Sequence, residues 1–531
     1  MKTGHLLVIV YIFGITSAAT GCETDGSAKI SREEISTESL KRLWRDLANE
    51  SRMSLLDMRD IPVALHAQRQ LFLDNVVVAS KKELDRMVHP PQRHPGNPVL
   101  SRGSSSDAAF VLQVRQFEQS PRFRMWYWSS RRWHNLPDGQ QIRFGTSYAT
   151  SEDGIHWRVP KLDLYRQDGN TDRNVVIPYG LMHGLFYEPD DPDKQKKFKS
   201  LICVERRNPV VREGYYLHTS PDGIHWTGNL DSPVIPSLNS YSLPQDGIGD
   251  TSRFWWDPKG RRYVADTKFV IPGKLRARGM MFSDDLVHWT RPFPTFFARD
   301  PVTQIYGHTA FVYQGIYIGL RWIYDPRYDP QTHSMHVELD TSRDGYAWTR
   351  VGAGVPYMAV NPQRNTWDSS RIKPTAVLEV DEELWIYYAA APTTADLANP
   401  DFPDSQQMPY STGLATLKRD RFVSLRAGTQ KGILVTRPLT FSGRYLHINA
   451  EIASGGAIHV SLLNSKGDVI PGFDRTDCRL PSGSALDYTV GWPQGLLLPG
   501  PEKGPVRLRV EMINSDLFSF WTHEQSIEKS L

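Results

Sequence analysis

One seven-residue tag constrains this chain more than any other feature, because it occurs four times. Ser-Glu-Asp-Gly-Ile-His-Trp (Ser151 to Trp157) returns as Ser-Pro-Asp-Gly-Ile-His-Trp (Ser220 to Trp226), Ser-Asp-Asp-Leu-Val-His-Trp (Ser283 to Trp289) and Ser-Arg-Asp-Gly-Tyr-Ala-Trp (Ser342 to Trp348). The aligned aspartates Asp153, Asp222, Asp285 and Asp344 stand 69, 63 and 59 residues apart. A degenerate fifth copy lies at Leu417 to Phe422, with Phe where the others have Trp. A tag shared at this period marks a repeated supersecondary unit.

Each tag follows a strand-like run, and its Asp-Gly pair is a tight-turn signal, because Gly accepts positive φ and Asp bonds its own backbone. Upstream of each tag stand two more strand candidates joined by a turn, such as Phe254 to Trp256 and Arg262 to Ala265 around Asp257 to Gly260. Four strands per unit of this length is a propeller blade. Five units fit between Arg69 and Leu425, and the run Gln70 to Val78 is expected to pair with the last blade and close the ring. From about Ala427 the texture shifts to short alternating strands with Gly, Pro and Asn turns, which reads as a β-sandwich. The expected fold is therefore all-β, a five-bladed β-propeller over 69–425 followed by a C-terminal β-sandwich over 426–531.

Composition narrows the class. The chain has 531 residues, 40% of them hydrophobic, enough for a sizeable core. Net charge is only +3 with the signs interspersed, so nucleic acid is a poor partner. Three cysteines, Cys22, Cys203 and Cys478, make no disulfide framework. Cys203 and Cys478 sit in apolar strand-like context, as buried thiols or, less simply, as a pair.

The first 22 residues read as a targeting segment, with Lys2, an apolar core from Leu6 to Ile15 and small residues at Ser17 to Ala19. Ala19-Thr20-Gly21-Cys22 is similar to a bacterial lipobox, which makes Cys22 a lipidation site and a lipid anchor the one expected membrane contact. The expected location is periplasmic, outer-membrane lipoprotein or extracellular. Residues 23–68 form a polar tether and a helix, with Leu40, Leu43, Trp44 and Leu47 on one face.

In a propeller the first strand of each blade lines the central channel, and its start faces the end where ligands bind. Asp107, His183 and His308 each stand three positions before the Phe of a first-strand candidate, and Asp250 stands four before Phe254. Asp368 lies further upstream of its strand, in the entering loop. Each tag Trp is followed 19 to 26 residues later by His183, Asp250, His308 or Asp368. Each such residue alone is most simply a turn cap; the shared phase gathers them at one funnel. Carboxylates facing across a polar funnel suit glycoside cleavage, one as acid and one as base or nucleophile. A third would hold the acid's pKa up by like-charge repulsion. Arg115, Glu205, Arg253, Lys268, Arg321 and Arg371 lie on first or second strands and could reach in.

The layout resembles the five-bladed propeller glycosidases of the invertase, arabinanase and levansucrase type, glycoside hydrolase families 32 and 43 with their relatives. The matching stretches are Gln70 to Asp74, His94 to Leu100, Phe123 to Tyr127, the four tags, Gln304 to Gly307 and Trp367 to Ser369. In the C-terminal part Val435 to Phe441, Gly472-Phe473 and Asp477-Cys478 also fit. The invertase-type Trp-Met-Asn-Asp-Pro-Asn-Gly signature is absent, and Cys203-Val-Glu205 differs in order and spacing from that family's Glu-Cys acid motif. Arg299-Asp300-Pro301 matches the family's triplet but falls before the fourth blade.

By position, the resemblance implies Asp107 as base or nucleophile, with acid and modulator drawn from Glu205, Asp250 and Asp368. It implies sugar contacts from His183, His308, Arg253, Arg321, Arg115 and Arg371. No metal motif stands out and no cofactor is called for, although a channel calcium occurs in some relatives. The expected partner is carbohydrate and the expected state a monomer. The competing readings are a non-catalytic glycan-binding propeller and a protein-interaction propeller.

Overall fold

Aromatic and β-branched runs form strands throughout, and the one helical turn among the described residues is a 3-10 turn at Lys194–Lys196. The structure, a computed structural model, describes residues 60–524 apart from 66–67, 102–106, 114–120, 136–140, 166–172, 205–210, 237–247, 250, 272–274, 298–301, 326–333, 353, 364–365, 393–409, 475–479, 481, 493–494, 496 and 500–503. The proposed leader with Cys22, the tether up to residue 59, Cys478 and the Arg299 to Pro301 triplet lie outside the described residues.

The propeller-like part consists of five antiparallel units, here called blades I to V. Blade I runs Asp107–Gln113, Phe123–Asn135, Gln141–Ser151 and Val175–Ile177, hydrogen-bonded in that order. Blade II runs Leu181–Tyr187, Phe198–Val204, Gly214–Ser220 and Thr227–Gly228. Blade III is Arg253–Asp257, Arg262–Ile271, Leu275–Ser283 and Phe293–Phe296. Blade IV is Gln304–Tyr313, Ile316–Tyr324, Met335–Ser342 and Thr349–Val351. Blade V is Arg371–Val380, Glu383–Ala391 and Ser411–Lys418, completed by Gln92–Arg93 from upstream of blade I.

The tag serine is the last residue of the third strand in blades I to IV. There the tag aspartate caps its own turn: Asp285 Oδ1 accepts from the Val287 and His288 amides at 2.8 Å each, and Oδ2 meets His288 Nδ1 at 2.7 Å. The fourth tag residue needs positive φ, which Gly154, Gly223 and Gly345 supply at 75°, 79° and 77°; Leu286 adopts 67° in the third copy. Tags also join neighbours. The Gly154 carbonyl accepts from Tyr387 of blade V at 2.7 Å, and the Gly223 carbonyl from Trp126 of blade I at 2.7 Å.

Apolar clusters fill most seams. Ala109, Val111 and Met125 of blade I pack with Tyr387 and Leu414 of blade V. Trp126 and Tyr148 pack with Met182 and Phe198 of blade II, and Phe186 and Tyr215 of blade II with Phe254 and Met281 of blade III. Each fully buried side chain of this size contributes about 1.5–3 kcal/mol.

The closing strand differs from expectation. Gln70–Leu71 pairs with Phe520 and Ser519, whereas Arg93 and Gln92 pair with Ala415 and Thr416 of blade V. Burial explains the exchange: the outermost strand of a blade meets solvent, and Gln92 and Arg93 are exposed. Leu71, Phe72, Leu73 and Val77 are fully buried and need a core. They find it in the C-terminal module, where Tyr445–Leu463 and Arg507–His523 pair from Tyr445↔His523 to Leu463↔Arg507. Val63–Leu65, Val78–Lys82 and Asp85–Val88 also pair there, with Leu439–Phe441, Gly432–Thr436 and Val423–Ala427. By hydrogen bonding, residues 63–88 thus belong with the C-terminal strands.

The fifth tag marks this joint. Buried Asp420 stands at φ 70° and accepts from Tyr313 and Ser519 hydroxyls at 2.7 Å each, with Arg69 at 3.3 Å.

Candidate active site

The first strands Asp107–Gln113, Leu181–Tyr187, Arg253–Asp257, Gln304–Tyr313 and Arg371–Val380 run side by side around one axial channel. Where they begin is the mouth; the other end, beside the tags, is the exit. Residues from all five strands line a cavity of about 620 Å³ in this channel.

Arg253 opens the first strand of blade III and spans the axis. Its Nη2 donates to the Thr375 carbonyl of blade V at 2.6 Å, and the guanidinium lies 4.1 Å over the Phe110 ring of blade I. On blade V, Arg371 and Lys373 alternate along one strand and so share a face. Arg371 Nη1 donates to the Tyr410 hydroxyl at 3.3 Å, and Lys373 Nζ sits 3.9 Å over the same ring. All three cations are buried, as is Lys268.

His183, fully buried, donates from Nδ1 to the Ser252 carbonyl at 2.7 Å, which fixes its tautomer because a carbonyl only accepts. Its ring packs 4.6 Å from Trp128 and 5.2 Å edge-on to Tyr215. His308 has Nδ1 2.8 Å from Asp266 of blade III and Nε2 3.6 Å from Asp340 of its own blade. Gly319 makes the space for this ring, since a Cβ there would fall 2.1 Å from Nε2.

Around His308 the seam between blades III and IV is ionic. Arg278 Nε donates to Asp266 at 2.6 Å, and Arg321 Nε to Asp340 at 2.8 Å. Arg350 stands 3.4 Å and His336 3.7 Å from Glu338, two residues before Asp340 on the same strand face. The two carboxyls are pushed apart. Burial raises the Asp340 pKa, with Arg321 and His308 pulling less strongly the other way. Glu338 is also penalised by burial, but His336, Arg350 and Arg321 outweigh it and leave its pKa below the usual value. Such opposed pairs mark acid and base assignments, although these two are sealed in the seam.

The predicted residues thus divide. His183, Arg253, His308 and Arg371 are buried near the starts of the first strands of blades II to V, and Arg321 pairs with Asp340 beside His308. Asp107 opens the first strand of blade I, and its side chain is outside the described residues, as are Arg115, Glu205 and Asp250. Asp368 is buried and paired with Arg93 of the closing strand at 3.2 Å, so its oxygens serve that closure. Asp266, Arg278, Glu338 and Asp340 were not expected. For Glu338 and Asp340 the signal was there in Met335 to Asp340, where His336, Glu338 and Asp340 alternate with apolar residues. In a blade buried on both faces, such charges must be paired. Among the described residues no group of three or more His, Cys, Asp or Glu could hold a metal ion.

No protein-family model matches the chain, and no curated protein is similar to it at a significant level. Similar solved structures include one described as a glycoside hydrolase, at 16% identity and TM-score 0.40, covering 62% of this chain and 92% of that one. A thermostable family-43 glycoside hydrolase is similar at 13% identity and TM-score 0.40, covering 62% of this chain and 95% of that one. An N-acetylgalactosamine deacetylase from F. plautii, in complex with blood group B trisaccharide, is similar at 13% identity and TM-score 0.42, covering 64% of this chain and 97% of that one.

Proposed function

We propose that this chain is an exported glycoside hydrolase, a five-bladed propeller braced by a β-sandwich, acting on an oligosaccharide or polysaccharide at the channel mouth. The supporting observation is that His183, Arg253, His308 and Arg371, from four blades, are buried near the first-strand starts, the end at which Asp107 begins its own strand. Hydrolysis needs a carboxylic acid to protonate the departing glycosidic oxygen and a carboxylate to activate water or attack the sugar carbon. Asp107 takes the base or nucleophile role, and Asp250 or Glu205 the acid role. Arg253 and Arg371 hold hydroxyl or acidic substituents, beside His183, whose Nδ1–H is held by the Ser252 carbonyl. Export follows the leader ending at Cys22, with lipidation there as anchor.

A second reading, a non-catalytic glycan binder, draws support from Asp368, Asp266 and Asp340, which are all engaged by Arg or His. A digest of a glycan library with wild type, Asp107→Asn and Asp250→Asn separates the two. The hydrolase releases product that the Asn variants do not; sugar retained by the wild type without any product establishes the binder.

A further inference from the structure

Among the described residues the chain crosses between the propeller-like part and the C-terminal module at 89–91 and at 419–422, and the two crossings lie side by side. On the first, His89 follows strand Asp85–Val88 of the module and stands three residues before Gln92–Arg93, which closes blade V. Only Pro90 and Pro91 fill the gap, and each fixes its own φ, so the link is short and stiff. The strap then holds blade V by a few bonds. The Thr412 and Leu414 amides donate to the Leu100 carbonyl at 2.9 Å and to Asn97 Oδ1 at 2.8 Å, and Arg93 meets Asp368 at 3.2 Å.

His89 fastens the upstream end of this strap. Its amide donates to the Phe422 carbonyl at 2.9 Å, its ring packs edge-on to Phe518 at 5.0 Å, and Nε2 lies 2.8 Å from Ser424 Oγ. Ser424 gives its one hydroxyl proton to Asp516 at 2.5 Å, because a carboxylate only accepts. The serine oxygen therefore accepts from His89, so Nε2 carries the hydrogen and Nδ1 is the atom left to take a proton. The charges facing the ring are already matched. Arg426 pairs with Asp516 at 2.9 Å; Arg421 pairs with Glu451 at 2.9 Å, its guanidinium 4.5 Å over Phe518. In the second crossing, Asp420 is bonded to Tyr313 and Ser519, and Arg419 pairs with Glu382 at 3.5 Å. Asp85, at the far end of the strand before His89, lies opposite Arg426 and about 13 Å back along the chain. An imidazolium would thus be a third cation against two carboxylates, in a half-buried socket. Burial lowers the His89 pKa most; Asp516 and Glu451 pull it up, and Arg426 and Arg421 push it down. A histidine depressed in the folded state gives stability that is present above its unfolded pKa, about 6.5, and lost as pH falls below it.

We propose that His89 is an acid-sensitive latch: neutral, it fastens the strap to the C-terminal module, and protonation at Nδ1 loosens the strap, the closure of blade V and the Arg93 contact with Asp368. The latch operates whether or not the chain cleaves glycans. Hydrogen–deuterium exchange of the full chain at pH 7.5 and 5.0, corrected for intrinsic rates, tests it. The Thr412 and Leu414 amides should lose protection about three- to thirtyfold on acidification, since one proton is worth at most tenfold per pH unit below about 6.5. Strand Ile316–Tyr324, away from the strap, should lose less. His89→Gln keeps an N–H for Ser424 but cannot titrate, so its Thr412 and Leu414 amides should stay protected at pH 5.0. His94 still titrates in that variant, which isolates His89. Arg426→Gln, at an exposed side chain, frees Asp516 to meet the imidazolium and should shrink the acid loss; it decides the matter should His89→Gln fail to fold. Unchanged protection in wild type, an equal loss over 316–324, an equal loss in His89→Gln, or a loss as large in Arg426→Gln overturns the latch.

Discussion

The two ends of one channel are built on opposite principles. At the mouth, Arg253, His308, Arg321 and Arg371 are buried, and the seam beside them is tied by Arg278–Asp266 and Arg321–Asp340. At the exit, aromatic rings line the cavity and Trp256 stands open to solvent. The difference teaches where each end can be changed. Buried charge is costly unless partnered, so the mouth holds its groups rigidly, as the proposed reaction would need. The exit is held by ring packing that tolerates trimming at its rim.

The largest expected effect breaks the mouth chemically. Asp107→Asn should lower turnover by about 10²–10⁴-fold, the usual worth of one acid–base group, while Trp256→Ala leaves turnover of a short substrate unchanged. Initial rates on one oligosaccharide read both. Next comes the ionic seam. Arg278→Ala leaves Asp266 buried with half its partners, and should cost about 3–5 kcal/mol in urea unfolding. Trp256→Ala should stay within about 0.5 kcal/mol of wild type. Equal losses at both ends would erase the contrast.

On the exit side, the fifth tag should outweigh the others. Asp420→Ala strands the Tyr313 and Ser519 hydroxyls in a buried joint, for an expected loss of about 1–3 kcal/mol. Asp285→Ala removes an exposed turn cap and should cost only about 0.2–1 kcal/mol. The smallest effect is in pH. The His288 side-chain hydrogen bond, then the His288 and Val287 amides, lower the Asp285 pKa. A depressed folded-state pKa gives stability that is present above the unfolded carboxylate pKa, about 3.9, and lost as pH falls below it. Asp285→Ala should therefore lower the urea midpoint slightly at neutral pH, where the contribution is present, and converge on wild type as pH falls below about 4, which flattens the acid limb of the profile.

Much of this was legible in the sequence. The tags predicted the third-strand ends in four blades, because Asp capping and positive φ are local demands. The shared phase of His183 and His308 was legible for the same reason: strand starts are fixed by nearby turns. The C-terminal pairing of Gln70 with Phe520 was not, since nothing local announces a partner 450 residues away. An apolar run such as Leu71 to Leu73 says that it is buried, never against what. The Asp266–His308–Asp340 bridge escaped for a related reason. Period-two charge looks like a solvated face until both faces of the sheet are known to be covered.

The most direct test of the account is product release from one cleavable oligosaccharide by wild type, Asp107→Asn and Trp256→Ala side by side. The account predicts turnover by wild type and Trp256→Ala and at least a hundredfold loss in Asp107→Asn. Undiminished turnover in Asp107→Asn, or its loss in Trp256→Ala alone, would place the chemistry away from the mouth and contradict it.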